Sequence, residues 1–124
     1  MNEDNASKSI LLLWPYPPYG NSNSREALDL ALAFGAYEQN LAILFTGDGV
    51  WNLLPHQQSS GISQKSISQM LGALPLYGIE SIYACAESLC DRNIASDSLI
   101  LTTKALDADA IQRIISEHQI VLTV

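Results

Sequence analysis

The chain has 124 residues, 48% hydrophobic and only 15% charged, with a formal net charge of −7. That length fits one domain with one core, and a charged fraction below the average of about 25% suggests surface covered by partners. Six scattered basic residues argue against a direct nucleic-acid surface, which needs clustered cations, and no apolar run approaches the roughly 18–20 residues that span a bilayer.

Met1 to Ser7 is polar and aperiodic, and is expected to be a frayed tail ahead of a single domain over residues 8–124. Glu3 and Asp4 stand where a signal peptide would carry basic residues, so a cytoplasmic protein is expected. Ile10 to Trp14 is continuously apolar, which suits a strand buried on both faces. Pro15, Pro17 and Pro18 end it and stiffen a loop to Gly20, after which Asn23-Ser24-Arg25-Glu26 offers a capping box for a helix to about Glu38. Leu41 to Phe45 repeats the strand pattern and is closed by Thr46-Gly47-Asp48-Gly49. Val50 to Leu54 reads as a short helical turn, His56 to Ser63 as loop, and Ile67, Met70, Leu71 and Leu74 as one helix face. Then follow a strand over Ile79 to Cys85, a short helix over Glu87 to Arg92, a strand over Leu99 to Thr103, a helix over Asp107 to His118, and a strand over Ile120 to Val124. Apolar strands alternating with helices predict a three-layer α/β/α fold on a five-stranded, mainly parallel sheet. In such sheets chemistry collects beyond the carboxyl ends of the strands, here expected at Pro15 to Asn23, Thr46 to Trp51, Cys85 to Ser88 and Thr102 to Lys104.

Cys85 falls where a strand hands over to a helix, a place whose unpaired amides favour a reactive thiolate; the competing reading is an inert, buried thiol. Cys90 is expected to pack, pointing away from Cys85, so that both remain free thiols. Asp48 between glycines could bind a metal or act as a base, but acidic turns with glycine are ordinary turn chemistry, and a carboxylate capping local amides is the favoured reading. Trp14, Tyr16 and Tyr19 in the stiff proline segment suit a protein interface, the alternative being a cover over the core. Ser22, Asn23 and Ser24 could cradle a phosphate, though no glycine-rich fingerprint accompanies them. His56 and His118 lie in unrelated segments, and neither a metal nor a cofactor is expected.

Pro18-Tyr19-Gly20, Arg25 to Asp29, Asp48-Gly49-Val50-Trp51 with Leu53-Leu54-Pro55 and Gln57, Leu76 to Glu80, and Cys85 to Leu89 together resemble the TusC/DsrF branch of the DsrE/DsrF-like superfamily. The resemblance spans nearly the whole chain, with Asn52, His56 and Cys90 as departures from the pattern. It implies a flavodoxin-like three-layer architecture and a cytoplasmic dimer of heterotrimers with TusB-like and TusD-like subunits. It also implies a relay that passes persulfide sulfur from a TusA-like donor to a TusE-like acceptor, for 2-thiolation of the tRNA wobble uridine. In that picture this chain is chiefly structural, with Trp14, Tyr16, Tyr19, Asp48 and Trp51 as candidate interface residues and Cys85 as a candidate persulfide carrier. A DsrF-like role in dissimilatory sulfur oxidation is the alternative.

Overall fold

The computed structural model describes residues 9–18, 23–36, 40–54 and 70–123. Five strands form one sheet: β1 (Ser9–Trp14), β2 (Asn40–Phe45), β3 (Ser81–Cys85), β4 (Lys104–Leu106) and β5 (Ile120–Thr123). Their order is β4-β3-β2-β1-β5, and every pairing is parallel. Among the described residues three α-helices have both ends in view, α1 (Asn23–Ala36), α2 (Ala86–Asp91) and α3 (Ala108–Glu117), and residues 70–72 are helical as well.

The alternation of side chains along a strand divides the core in two. Ile10, Leu12 and Trp14 of β1 and Leu41, Ile43 and Phe45 of β2 point to one face, where Ala27, Leu28 and Ala31 of α1 cover them. Leu11, Ala42 and Leu44 point to the other, against Leu106 and Ile114 of α3. The central pair β1 and β2 is therefore apolar on both sides, as parallel pairing beneath helices requires. Each fully buried Leu or Ile here contributes on the order of 1.5–3 kcal/mol. The chain steps from β1 through β4 in one direction and then returns to place β5 beyond β1. Since parallel crossovers are right-handed, that reversal puts α3 on the face opposite α1.

The fourth strand lies later than its apolar signal. Leu99 to Thr103 is not sheet; Leu101 is buried in the α1-side core with Leu99 and Ile100 packed against it, and the Ile100 amide donates to the Leu53 carbonyl at 2.8 Å. That run is apolar because a loop lies on the core, while the strand itself is the three residues Lys104–Leu106. Thr102 to Lys104 thus enters β4 at its amino end, and Asp107 stands at the carboxyl rim instead. The edge strands are half exposed, unlike the continuously buried strands expected from the sequence. Of the helix face expected over Ile67 to Leu74, residue 67 lies outside the described residues; Leu71 and Leu74 are buried, and Leu74–Tyr77 is a 3₁₀ helix. The N-terminal tail, Tyr19, Ser22 and His56 also lie outside the described residues.

Candidate functional site

Because β1, β2 and β3 are adjacent and parallel, the segments that follow them share one rim. These are Pro15 to Pro18, the 3₁₀ helix Gly47–Leu53, and Cys85 with α2.

The proline segment is held from beneath. The Trp14 indole is fully buried, stacked at a tilt on Phe45 with centroids 4.9 Å apart, and its Nε1 donates to Ser24 Oγ at 3.0 Å. Ser24 Oγ in turn lies 2.9 Å from the Pro17 carbonyl and 3.2 Å from that of Tyr16. Asn52, also buried, donates from Nδ2 to the Tyr16 carbonyl at 2.7 Å and to the Gly49 carbonyl at 2.9 Å. Two side chains from separate elements thus satisfy the carbonyls of a segment that forms no ladder, as burial of such groups demands. Two expectations change as a result. Trp14 offers no surface to a partner and belongs to the core. Ser24 is occupied within this network and is not a phosphate ligand.

The Gly47–Leu53 segment explains its own sequence. The Thr46 amide donates to the Trp14 carbonyl, and the Gly49 amide to that of Thr46. A Cβ at Gly49 would lie 1.9 Å from the Trp14 carbonyl oxygen, so only glycine allows this turn to close over the end of β1. Gly47 adopts φ +52, the left-handed region that starts the turn. Val50 and Leu53 are buried, Trp51 is half-buried, and Asp48 is exposed.

Asp48 does not cap local amides. Arg92, at the end of α2, donates to Asp48 Oδ1 from Nε at 3.2 Å and from Nη2 at 2.9 Å, and from Nη1 to the Ser88 carbonyl at 3.1 Å. The Gly47 amide donates to Ser88 Oγ at 2.9 Å. The turn after β2 and the helix after β3 are therefore clasped by Ser88 and Arg92, which the sequence reading did not assign a role. The spacing of four between them on one helix, with Asp48 in the adjoining rim loop, is the signal that could have suggested it.

Cys85 ends β3 and occupies the position preceding α2, partly exposed, with extended backbone and no capping hydrogen bond from its side chain. In the β3–β4 register it stands beside Leu106. Cys90 is exposed, which corrects its reading as a packing residue; both thiols are free. Tyr16 is partly buried against the α1-side core. His118 Nδ1 lies 2.7 Å from the Ile114 carbonyl at the end of α3. Among the described residues no group of three or more His, Cys, Asp or Glu is placed to hold a metal, and no helix is long and apolar enough to cross a membrane.

Residues 8–124 match the model of the DsrE/DsrF-like family. A protein TusC homolog of Pseudomonas aeruginosa is 35% identical over 117 residues, covering 94% of this chain and 98% of its own. A protein TusC homolog of Pasteurella multocida is 37% identical over 108 residues, covering 86% and 91%. The crystal structure of the ychN protein from E. coli superposes with a TM-score of 0.81 at 23% identity, over 94% of this chain and 99% of that one, a likeness of fold.

Proposed function

Given that the chain belongs to the DsrE/DsrF-like family, we propose that it is the TusC-like subunit of a cytoplasmic sulfur-relay complex. It assembles with TusB-like and TusD-like subunits as a dimer of heterotrimers, which takes persulfide sulfur from a TusA-like donor and yields it to a TusE-like acceptor for 2-thiolation of the tRNA wobble uridine. Its role there is mainly structural. The observation that carries this reading is similarity to TusC homologues along nearly the full length of both chains. The geometry agrees with a supporting part: the rim is built from buried hydrogen bonds and close packing, which hold a surface in one shape at little entropic cost on association. Tyr16, Tyr19, Asp48 and Trp51 are the residues proposed to meet partners.

The test is co-expression with TusB-like and TusD-like subunits. The expected result is one stable assembly containing all three, with thiolation of the tRNA wobble uridine lost when this chain is withheld. A lone, stable monomer that ignores both partners would overturn the proposal.

One observation favours a second reading, in which the chain itself carries sulfur: Cys85 is a free, partly exposed thiol at the shared rim. Its thiolate would attack the terminal sulfur of a donor persulfide, forming a new S–S bond while the donor's S–S bond breaks and the donor leaves as a thiolate. Mass spectrometry after loading with a small persulfide should then find one added sulfur on Cys85. Unchanged relay activity in Cys85→Ser would remove this reading and leave the structural one standing.

A further inference from the structure

The basic residues are few enough to follow one by one. Of the chain's six, four are among the described residues. Arg25 pairs with Asp29 and Arg92 with Asp48, whereas Lys104 and Arg113 form no ion pair among the described residues. These two unpaired cations line the same open groove, of about 320 Å³, between α3 and the β3–β4 side of the sheet.

The register gives the groove its floor. Lys104 is the partner of Tyr83, and register partners project to the same face; Tyr83 packs with the α3-side core, so Lys104 projects to the α3 side too. Arg113 comes from α3 itself. Two carboxylates share the lining. That of Asp107 already accepts from the Ala110 amide at 2.8 Å, and Glu117 lies one turn beyond Arg113 without pairing to it. The two cations balance these two carboxylates, so on a chain of net charge −7 the groove is a neutral stretch where an acidic group meets Lys104 and Arg113 without the repulsion of the surface at large.

The groove also borders an unpaired backbone. β4 is an edge strand, and no described strand pairs with its outer side. On the opposite face near the start of β4, a second cavity of about 310 Å³ is lined by Pro75, Ile82 and Leu101, with Glu80 and Thr102. An edge with a groove holding two cations on one face and a largely apolar cavity on the other matches what strand addition uses: main-chain hydrogen bonds along the edge and pockets for alternate side chains. The shortness of β4 and its lysine also restrict what can add. A second copy of this chain would bring its own Lys104 against the same cations, and like charges across an interface select against it.

We propose that the β4 edge and the Lys104–Arg113 groove form a docking site for a short, extended, acidic segment of a partner protein. Carboxylates fall between Lys104 and Arg113, and the intervening apolar side chains turn toward Pro75, Ile82 and Leu101. The proposal does not depend on Cys85 or on the relay reading.

The probe is a fluorescein-labelled, end-blocked peptide alternating glutamate and valine, titrated into the full chain and followed by anisotropy. The expected result is saturable binding that weakens with added salt and falls by about tenfold or more in the double variant Lys104→Glu, Arg113→Glu. Both side chains are exposed, so the neutral variant Lys104→Ala with Arg113→Ala should unfold thermally as the parent does and show an intermediate loss of binding, which separates the charge effect from the like-charge pairs that Arg113→Glu creates with Asp109 and Glu117. Absence of saturable binding, equal binding of a glutamine-for-glutamate peptide, or unchanged affinity in the double variant overturns the proposal. Displacement of the peptide by inorganic phosphate at matched charge would assign the groove to free anions instead. Self-association abolished by Lys104→Glu would assign it to a second copy.

Discussion

Gly49 shows how much a single missing Cβ can decide. Its α-carbon lies so close to the end of β1 that any side chain would meet the Trp14 carbonyl, and the whole 3₁₀ turn would have to lift. Gly49→Ala is expected to lower stability by about 1–3 kcal/mol through overpacking against backbone that cannot yield. At Gly72, where an added Cβ meets nothing, Gly72→Ala should be neutral or raise stability by about 0.4–1 kcal/mol. Urea unfolding of the two variants side by side measures the contrast, and equal effects would refute the account. The Asp48-Gly49-Val50-Trp51 run was legible as a pattern, and its meaning at this scale is packing and an ion pair. The roles of Ser24 and Asn52 were not legible, because apart from the Gly49 carbonyl, three residues before Asn52, their partners lie 7–36 residues away along the chain and hydrogen bonds of that range leave no local spacing.

Among the elements, β1 and β2 announced themselves, since burial on both faces forces an unbroken apolar run with nothing else to explain it. β4 did not. Three residues with a lysine and an exposed alanine carry no such signal, and the nearby Leu99 to Leu101 imitates one for a different reason. The short helix α2 depends on its neighbours more than on its own six residues, well below the length at which helices persist alone. Ser88 and Arg92 fasten it to the turn after β2, through the Gly47 amide and the Asp48 carboxylate. Arg92→Ala should therefore cost little in global stability, on the order of 0–1 kcal/mol, because the Asp48 carboxylate is largely exposed and its pairing is screened by salt. Amide hydrogen exchange should rise within α2 in the same variant while exchange in β1 and β2 stays unchanged. A uniform rise across the sheet would show that the clasp supports more than this helix.

For the molecule as a whole, the topology was legible as alternation, and the strand order was not, because nothing local records that β5 returns to β1. Their register, Ile10 with Ile120 through Leu13 with Thr123, joins segments 110 residues apart, and the Ser9–Gln119 hydrogen bonds secure the same junction. Removing residues 119–124 should produce a chain that melts at markedly lower temperature or aggregates on expression, measurable by calorimetry and by the soluble fraction recovered. A truncated chain as stable as the parent would mean that β5 contributes only a fringe to the sheet. During synthesis the first strand leaves the ribosome with its two flanks destined for very different moments. One is filled soon afterwards by β2, while the other waits for β5, whose residues follow those they pair with by 110 positions. Throughout that interval β1 is bare along one side, so the newborn chain carries an unbroken apolar run open to a chaperone or to a wrong neighbour.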